Sequence, residues 1–250
     1  MTDTYKIFGL MSGTSLDGLD IAYCEFEQQG SKWSFDLKAS QNIDYSESMR
    51  HQLKESINLS ALDLLDLNTE YGKWLGDQAR SFTKAFAVSA DYIASHGHTV
   101  HHQPERGITY QIGSGQEVAN ASGLKVICDF RSKDVSLGGQ GAPLVPVGDQ
   151  HLFSTYDFCL NLGGISNVSF EKDGKRVAYD IGLANMILNH ITSKINLKFD
   201  KGGSLARSGK LDKSLFQQLN DLEYYSLPFP KSTGYEWFLD SVVQLVDDSG

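Results

Sequence analysis

IFGLMSGTSLDGLDIAYCE, residues 7–25, passes from an apolar run (Ile7, Phe8, Leu10, Met11) through Ser12-Gly13-Thr14-Ser15 and Asp17-Gly18 into a second apolar run beginning at Leu19. Apolar, small-polar, apolar is the pattern of a β-hairpin with a polar tip. Asp-Gly is a strong turn signal, because glycine takes a positive φ without steric cost. The small residues ahead of it let backbone N–H groups and hydroxyls converge on one point, an arrangement that suits a phosphate. Asp17 adds a carboxylate where a phosphate-bound Mg²⁺ would sit, an ion that takes few protein carboxylates. A tight hairpin that binds nothing has the same pattern, and this stretch alone leaves both readings open.

The pattern returns 150 residues later. Tyr156–Leu162 is apolar, Gly163-Gly164-Ile165-Ser166-Asn167 is a small polar turn, and Val168–Glu171 leads out. A repeat at this separation predicts two related α/β domains, each offering a hairpin tip to a shared cleft. Chance likeness of two glycine-rich hairpins is the alternative. The Gly/Pro-rich stretch Gly138–Pro146 marks a boundary near 145–155, giving domains 1–150 and 151–250.

Between these landmarks the expected order is mixed. Strands are predicted at Tyr5–Met11, Leu19–Glu27, Lys32–Asn42, Tyr92–Ser95, Thr109–Gly113, Lys125–Phe130 and Lys175–Asp180. Helices are predicted at Ser46–Glu55, from Ser60 (as N-cap) to about Ala87, and at Ser114–Ala121, Val147–Phe153, Ala184–Ile195, Leu211–Leu222 and Glu236–Asp247. The segment from His96 to His102 reads as a histidine-rich loop, with His96 and His98 on one face of an extended stretch. A structural metal needs about four ligands at matched spacing, and no Cys or carboxylate cluster joins His96, His98, His101 and His102.

Composition bounds the function classes. The 250 residues are 40% hydrophobic and 21% charged, as in an ordinary globular protein. A net charge of −9 argues against a nucleic-acid surface, while a local positive pocket for an anionic substrate stays compatible with it. Three scattered cysteines (Cys24, Cys128, Cys159), each in an apolar run, read as buried free thiols in a reducing compartment. The MTDTYK start has no signal-peptide core and no run approaches membrane-spanning length, so the expected location is cytoplasmic, with no membrane partner.

Asp180 stands where a strand ends and Ile181-Gly182 turns away. A carboxylate at the C-terminal end of a strand in an open α/β sheet is placed for function. An Asp capping the following helix is the structural alternative.

MSGTSLDG, SHGHTVHHQP (95–104), the segment from QIGSG to DFR (111–131), GGQGAPLVP (138–146), LNLGGISN (160–167), YDIGLAN (179–185) and FPKSTGYEWF (229–238) occur in one order along the chain. Together they resemble the anhydro-N-acetylmuramic acid kinases, sugar kinases of the actin/hexokinase-like superfamily. The resemblance implies two related actin/hexokinase-like (ribonuclease H-like) α/β domains around a cleft, the second incomplete here. It implies an ATP- and Mg²⁺-dependent enzyme that opens 1,6-anhydro-N-acetylmuramic acid with water and phosphorylates O6. Ser12, Gly13, Thr14, Ser15, Leu16, Asp17, Gly18 and Leu19 would hold the nucleotide with Gly163 and Gly164, Asp17 through Mg²⁺. His98, Thr99, Arg131 and Asn185 would contact the sugar, and Asp180 would be the general base. Arg131 would take the lactyl carboxylate by planar two-point contact, a salt bridge to Asp129 or Asp134 being the alternative. A homodimer is the assembly left open.

The chain departs from the family pattern after Asp180, where Ile181-Gly182-Leu183-Ala184-Asn185 replaces Thr-Gly-Pro-Gly-Asn and loses a hydroxyl and a proline. His98 stands where Gln is usual. Relatives continue past FPKSTG into the part that holds adenine and ribose, so a fragment, or a shortened relative, is expected. A non-catalytic sugar- or nucleotide-sensing module is the rival function; Asp17, Arg131 and Asp180 together favour the enzyme.

Overall fold

A computed structural model describes residues 2–13, 16 and 18–249. The chain divides into two compact units, Met1–Leu144 and Val145–Gly250. Each is a mixed α/β unit built on its own sheet.

In the first unit, β1 (Asp3–Ser12), β2 (Gly18–Gln29) and β3 (Lys32–Asp44) form an antiparallel meander. The sheet then turns parallel: β4 (Tyr92–Ser95) joins β1 and β7 (Lys125–Ile127) joins β4, giving the order β3-β2-β1-β4-β7. Phe8, Leu10 and Ser12 alternate to the buried face of β1, as do Leu19, Ile21 and Tyr23 on β2.

That face is covered by α2 (Ala61–Phe86), which follows the short α1 (Glu47–Glu55). The apolar stripe of α2, Leu67, Tyr71, Leu75, Ala79 and Phe82, recurs every three or four residues and is buried. Each large side chain so buried contributes on the order of 1.5–3 kcal/mol. Ser60 caps the start, accepting from Asp63 N at 3.2 Å and donating to Asp63 Oδ2 at 2.6 Å. Ala87, at φ 52°, ends the helix in the left-handed conformation. Gly72 and Gly76 let α3 (Gly115–Ser122) lie close against α2, since a Cβ at Gly72 would come 2.7 Å from Ser114 O.

The histidine-rich stretch is not a loop. Gly97, at φ +72°, ends the run after β4, and β5 (His98–Gln103) then pairs with β6 (Ile108–Ile112) as a separate antiparallel hairpin. His96 and His98 therefore do not lie on one extended segment. The strand expected to reach Phe130 stops at Ile127, Asp129 takes φ 57°, and Arg131 precedes an unforeseen short helix, α4 (Ser132–Ser136). Cys128 is consequently exposed rather than buried, while Cys24 and Cys159 are half-buried; all three are free.

The second unit begins with α5 (Val145–Leu152). Its sheet is β10-β9-β8, made from β8 (Phe158–Leu162), β9 (Ile165–Lys172) and β10 (Lys175–Leu183), antiparallel throughout. This third-second-first order is the order of the β3-β2-β1 meander. Asp149 on α5, Ser169 on β9 and Arg176 on β10 tie helix to sheet: Ser169 Oγ donates to Asp149 and Arg176 NH2 donates to Ser169 Oγ at 2.8 Å. Past α6 (Asn185–Ser193), Phe238, Val242 and Val246 of the last helical stretch form the unit's buried cluster with Leu183, Met186 and Ile187.

Candidate active site

Asp180 does not end its strand. Strand β10 runs on to Leu183 through a bulge, because Asp180 pairs with Asn167 while Gly182 pairs with Ser166, leaving Ile181 extra. A bulge bends a strand and re-aims the side chain beside it. Nor does Asp180 cap α6, whose N-cap position is Ala184 with no side-chain bond. The segment 224–233 holds it instead. Asp180 N donates to Lys231 O at 2.9 Å, Tyr224 Oη donates to Asp180 O at 2.6 Å, and Thr233 N donates to Asp180 Oδ2 at 3.0 Å. Lys231 Nζ closes the clamp by donating to Tyr224 O at 2.8 Å and lies over the Tyr224 ring. Burial raises the Asp180 carboxyl above its ordinary range, opposed by the Thr233 N–H, and Tyr224 is pushed up to about 12 by burial and then by the Asp180 charge. Gly182 permits this packing, since a Cβ there would stand 2.8 Å from Tyr225 Oη.

The second hairpin is tighter than its sequence suggests. Only Gly163 and Gly164 form the turn, and Ile165, Ser166 and Asn167 belong to β9. Gly163 O accepts from Asn185 N at 3.1 Å, and Gly164 O accepts from Ala184 N at 2.9 Å and Met186 N at 3.0 Å. The Asn185 amide donates to Leu162 O at 3.2 Å and to Gly163 O at 3.0 Å. The turn carbonyls thus satisfy the start of α6, and Asn185 is a strut of the hairpin; its Nδ2 is not free for a sugar.

In the first hairpin Thr14, Ser15 and Asp17 lie outside the described residues. Leu16 takes φ 56° and its N–H donates to Gly13 O at 3.3 Å. Gly18 sits where a Cβ would come 2.5 Å from Ile43 O. Two of the proposed ligands face the core. Leu19 is fully buried, and Ser12 is buried with its Oγ accepting from Tyr45 Oη at 2.7 Å. Tyr45 Oη also lies 2.8 Å from Tyr71 Oη, whose pKa burial raises. Ser12 can offer a ligand its backbone, not its hydroxyl.

His96, missed as a functional residue, organises Arg131. Arg131 Nε donates to His96 Nε2 at 3.1 Å and NH2 lies 2.8 Å from the same atom, while NH1 donates to Gly141 O at 2.6 Å. His96 Nδ1 lies 2.9 Å from Gly97 O, which assigns it the proton and leaves Nε2 to accept. Burial first, and then Arg131, lower the His96 pKa and keep the ring neutral. Gly141 N donates to Asp134 Oδ2 at 2.7 Å, so Arg131 and Asp134 pin the GGQG loop from both sides. The alternative, a salt bridge of Arg131 to Asp129 or Asp134, is not formed among the described residues. His98 is buried, its pKa lowered by that burial, and Thr99 on the alternate face is half-buried. Among the described residues no group of three His, Cys, Asp or Glu could hold a metal ion.

These observations describe a mixed α/β protein with a small-residue hairpin in each unit and a clamped, partly buried carboxylate in the second. The chain belongs to the anhydro-N-acetylmuramic acid kinase family, whose model matches residues 5–245. It is 35% identical over 257 residues to the anhydro-N-acetylmuramic acid kinase of Pseudoalteromonas translucida (strain TAC 125), covering 93% of this chain and 64% of that one. The kinase of Shewanella woodyi (strain ATCC 51908 / MS32) is 37% identical over 250 residues, covering 95% of this chain and 67% of its own. The chain therefore spans about two thirds of the length of the curated relatives it matches. Overlap with the solved ROK hexokinase from Thermus thermophilus is slight, at TM-score 0.32 and 10% identity, with 84% of this chain and 70% of that one covered. Among the described residues no helix is long and apolar enough to cross a membrane.

Proposed function

We propose that the protein is an ATP-dependent kinase of 1,6-anhydro-N-acetylmuramic acid, and the clamped Asp180 carboxylate is the observation that carries this reading. A base for water must be fixed and ionised at working pH, and a partly buried carboxylate with a raised pKa is a better base than a solvated one. Thr233 N–H holds Oδ2, which orients Oδ1 as the proton acceptor. Asp180 takes a proton from water as its oxygen bonds to the anomeric carbon; the C1–O6 bond breaks, and O6 is freed as phosphoryl acceptor. ATP supplies the phosphoryl group.

In this reading the two units are the related domains of an actin/hexokinase-like fold. The first carries one phosphate hairpin, and the second carries the other together with Asp180. The described part of the first hairpin fits a phosphate through its backbone: a left-handed Leu16, and Gly18 where a side chain would collide with Ile43 O. Gly13, Thr14, Ser15, Leu16, Gly18, Gly163 and Gly164 would hold the nucleotide and Asp17 its Mg²⁺. Thr99 and Arg131 would meet the sugar. Three free cysteines support a cytoplasmic setting.

The test is direct. Full-length protein incubated with the anhydro-sugar and ATP should give a product heavier by one water and one phosphoryl group, with ADP formed in equal amount. Hydrolysis of ATP with the sugar unchanged would refute the reading.

A further inference from the structure

Asp180 sits on β10, an edge strand of the second unit's sheet, next to the bulge at Ile181. An edge strand leaves the outward N–H and C=O groups of alternate residues without a partner in the sheet, and a bulge disrupts the pairing beside it. The outward groups of Asp180 are met from outside the sheet. Asp180 N donates to Lys231 O at 2.9 Å, and Asp180 O accepts from Tyr224 Oη at 2.6 Å. One side chain joins these two supports. Lys231 Nζ donates to Tyr224 O at 2.8 Å and to Tyr225 O at 3.4 Å, and it lies over both rings, 4.5 Å from the Tyr224 centroid and 5.9 Å from that of Tyr225. Tyr224 needs such a tie. It belongs to a helical turn of only four residues, Glu223–Ser226, far too short to hold itself, and an ammonium on its last carbonyls is a C-terminal cap.

The cation is committed to carbonyls and rings and not to the base. Among the described residues Lys231 forms no ion pair with Asp180 or any other carboxylate. An ammonium beside Asp180 would lower its pKa and weaken it as a proton acceptor, whereas burial raises it. We propose that Lys231 is the positioning residue of Asp180, fastening the two peptide groups that flank the carboxylate, one through its own carbonyl and the other through Tyr224. With both peptide groups held, the direction of the Asp180 Cα–Cβ bond is set, and Thr233 N–H on Oδ2 sets the rotation of the carboxylate about it. Misplacing a reacting group by about 1 Å can cost about 10²-fold in rate, so the clamp acts on the chemical step rather than on binding. The inference rests on the proposed sugar-kinase function and adds to it the side chain that holds the base in place.

Lys231→Met keeps an unbranched side chain and removes the ammonium. In the full-length protein kcat for phosphorylated sugar should fall by roughly tenfold to a hundredfold, while KM for the anhydro-sugar and for ATP stays within about twofold. Lys231→Arg, which keeps a cation and its donors, should recover most of the loss. Tyr224→Phe should lower kcat in the same way. Combined with Lys231→Met it should cost little more than the worse single change, because both break one chain of contacts. Amide exchange gives a readout that needs no turnover. In Lys231→Met the Asp180 and Thr233 amides should exchange about tenfold faster or more, with the amides of the β8–β9 pairing unchanged. An unchanged kcat in folded Lys231→Met overturns the assignment, and so does a raised KM with kcat intact, which would make Lys231 a ligand of the substrate. If Lys231→Met does not fold, Tyr224→Phe carries the same test, and its full turnover overturns the assignment as well. A wild type that makes no phosphorylated sugar would refute the kinase reading alone; Asp180 and Thr233 amides that stay slow in the variants would refute the clamp, and fast ones would uphold it.

Discussion

Thr233 N–H donates to Asp180 Oδ2 at 3.0 Å across 53 positions of sequence. The KSTG segment is thereby part of the same constellation as the carboxylate, and the carboxylate is not a helix cap. Replacement of Asp180 by Asn keeps an acceptor for Thr233 and removes the proposed proton acceptor. In the full-length enzyme kcat should fall by about 10²-fold or more, with sugar and ATP binding little changed. Near-normal production of phosphorylated sugar by the variant would remove Asp180 from the chemistry.

The raised Asp180 pKa makes a second statement, about pH. The folded state holds this proton more tightly than the unfolded chain, so the group's contribution to stability is fullest below the unfolded value of about 3.9 and is lost as pH rises through the raised folded value. Asp180→Asn should therefore gain stability relative to wild type as pH rises from acid toward neutral. Denaturant midpoints at several pH values, parallel for both proteins, would contradict this.

His96 behaves in the opposite sense. Its pKa is lowered, so the neutral ring that accepts from Arg131 is secure above the unfolded value of about 6.5 and the stability it supports is lost as pH falls below it. Wild type should lose stability on mild acidification, and His96→Gln should flatten part of that slope. The buried His98 retains the remainder. An unchanged slope in the variant would show that His96 does not titrate with folding.

Two glycines should separate hard from soft collisions. Gly18→Ala meets backbone, Ile43 O at 2.5 Å, whereas Gly182→Ala meets the end of a side chain, Tyr225 Oη at 2.8 Å. The first should cost roughly 1–3 kcal/mol of unfolding free energy and the second less, because Tyr225 can swing away. Equal losses by chemical denaturation would contradict this ranking.

Removing the hydroxyl in Tyr71→Phe should destabilise the first unit by about 0.5–1.5 kcal/mol, since Tyr45 and Ser12 keep each other as partners. A double-mutant cycle with Tyr45→Phe should show coupling. Strict additivity would mean that the three hydroxyls do not act together.

Much of this architecture was legible because local signals were strong. Ser60 announced its helix, and the apolar runs either side of MSGTSLDG announced β1 and β2. The site was less legible because its partners are distant in sequence. Nothing near Asp180 points to Lys231 or Thr233, and the continuation of β10 to Leu183 depends on a bulge that pairing with Ser166 creates. Ser12 looked like a phosphate ligand since a hydroxyl's direction is set by the strand's pleat, which turned it toward Tyr45. Gly97 was the available signal that the histidine run breaks in two, and Asn185 kept its place while its amide was taken by carbonyls of the turn.

Helix α2 carries Tyr71, whose hydroxyl meets Tyr45 Oη beside Ser12, and Asn68, which fixes Gly113 at the end of β6, three residues apart on adjoining turns. One rigid rod thus sets the spacing between the Ser12 end of β1 and the turn into α3. Neither end can shift along the rod alone without disturbing its own anchor. A change in that spacing would then have to come from the loops that meet the helix, so Gly113–Gly115 and the SHGH segment are where sequence differences that alter it should collect.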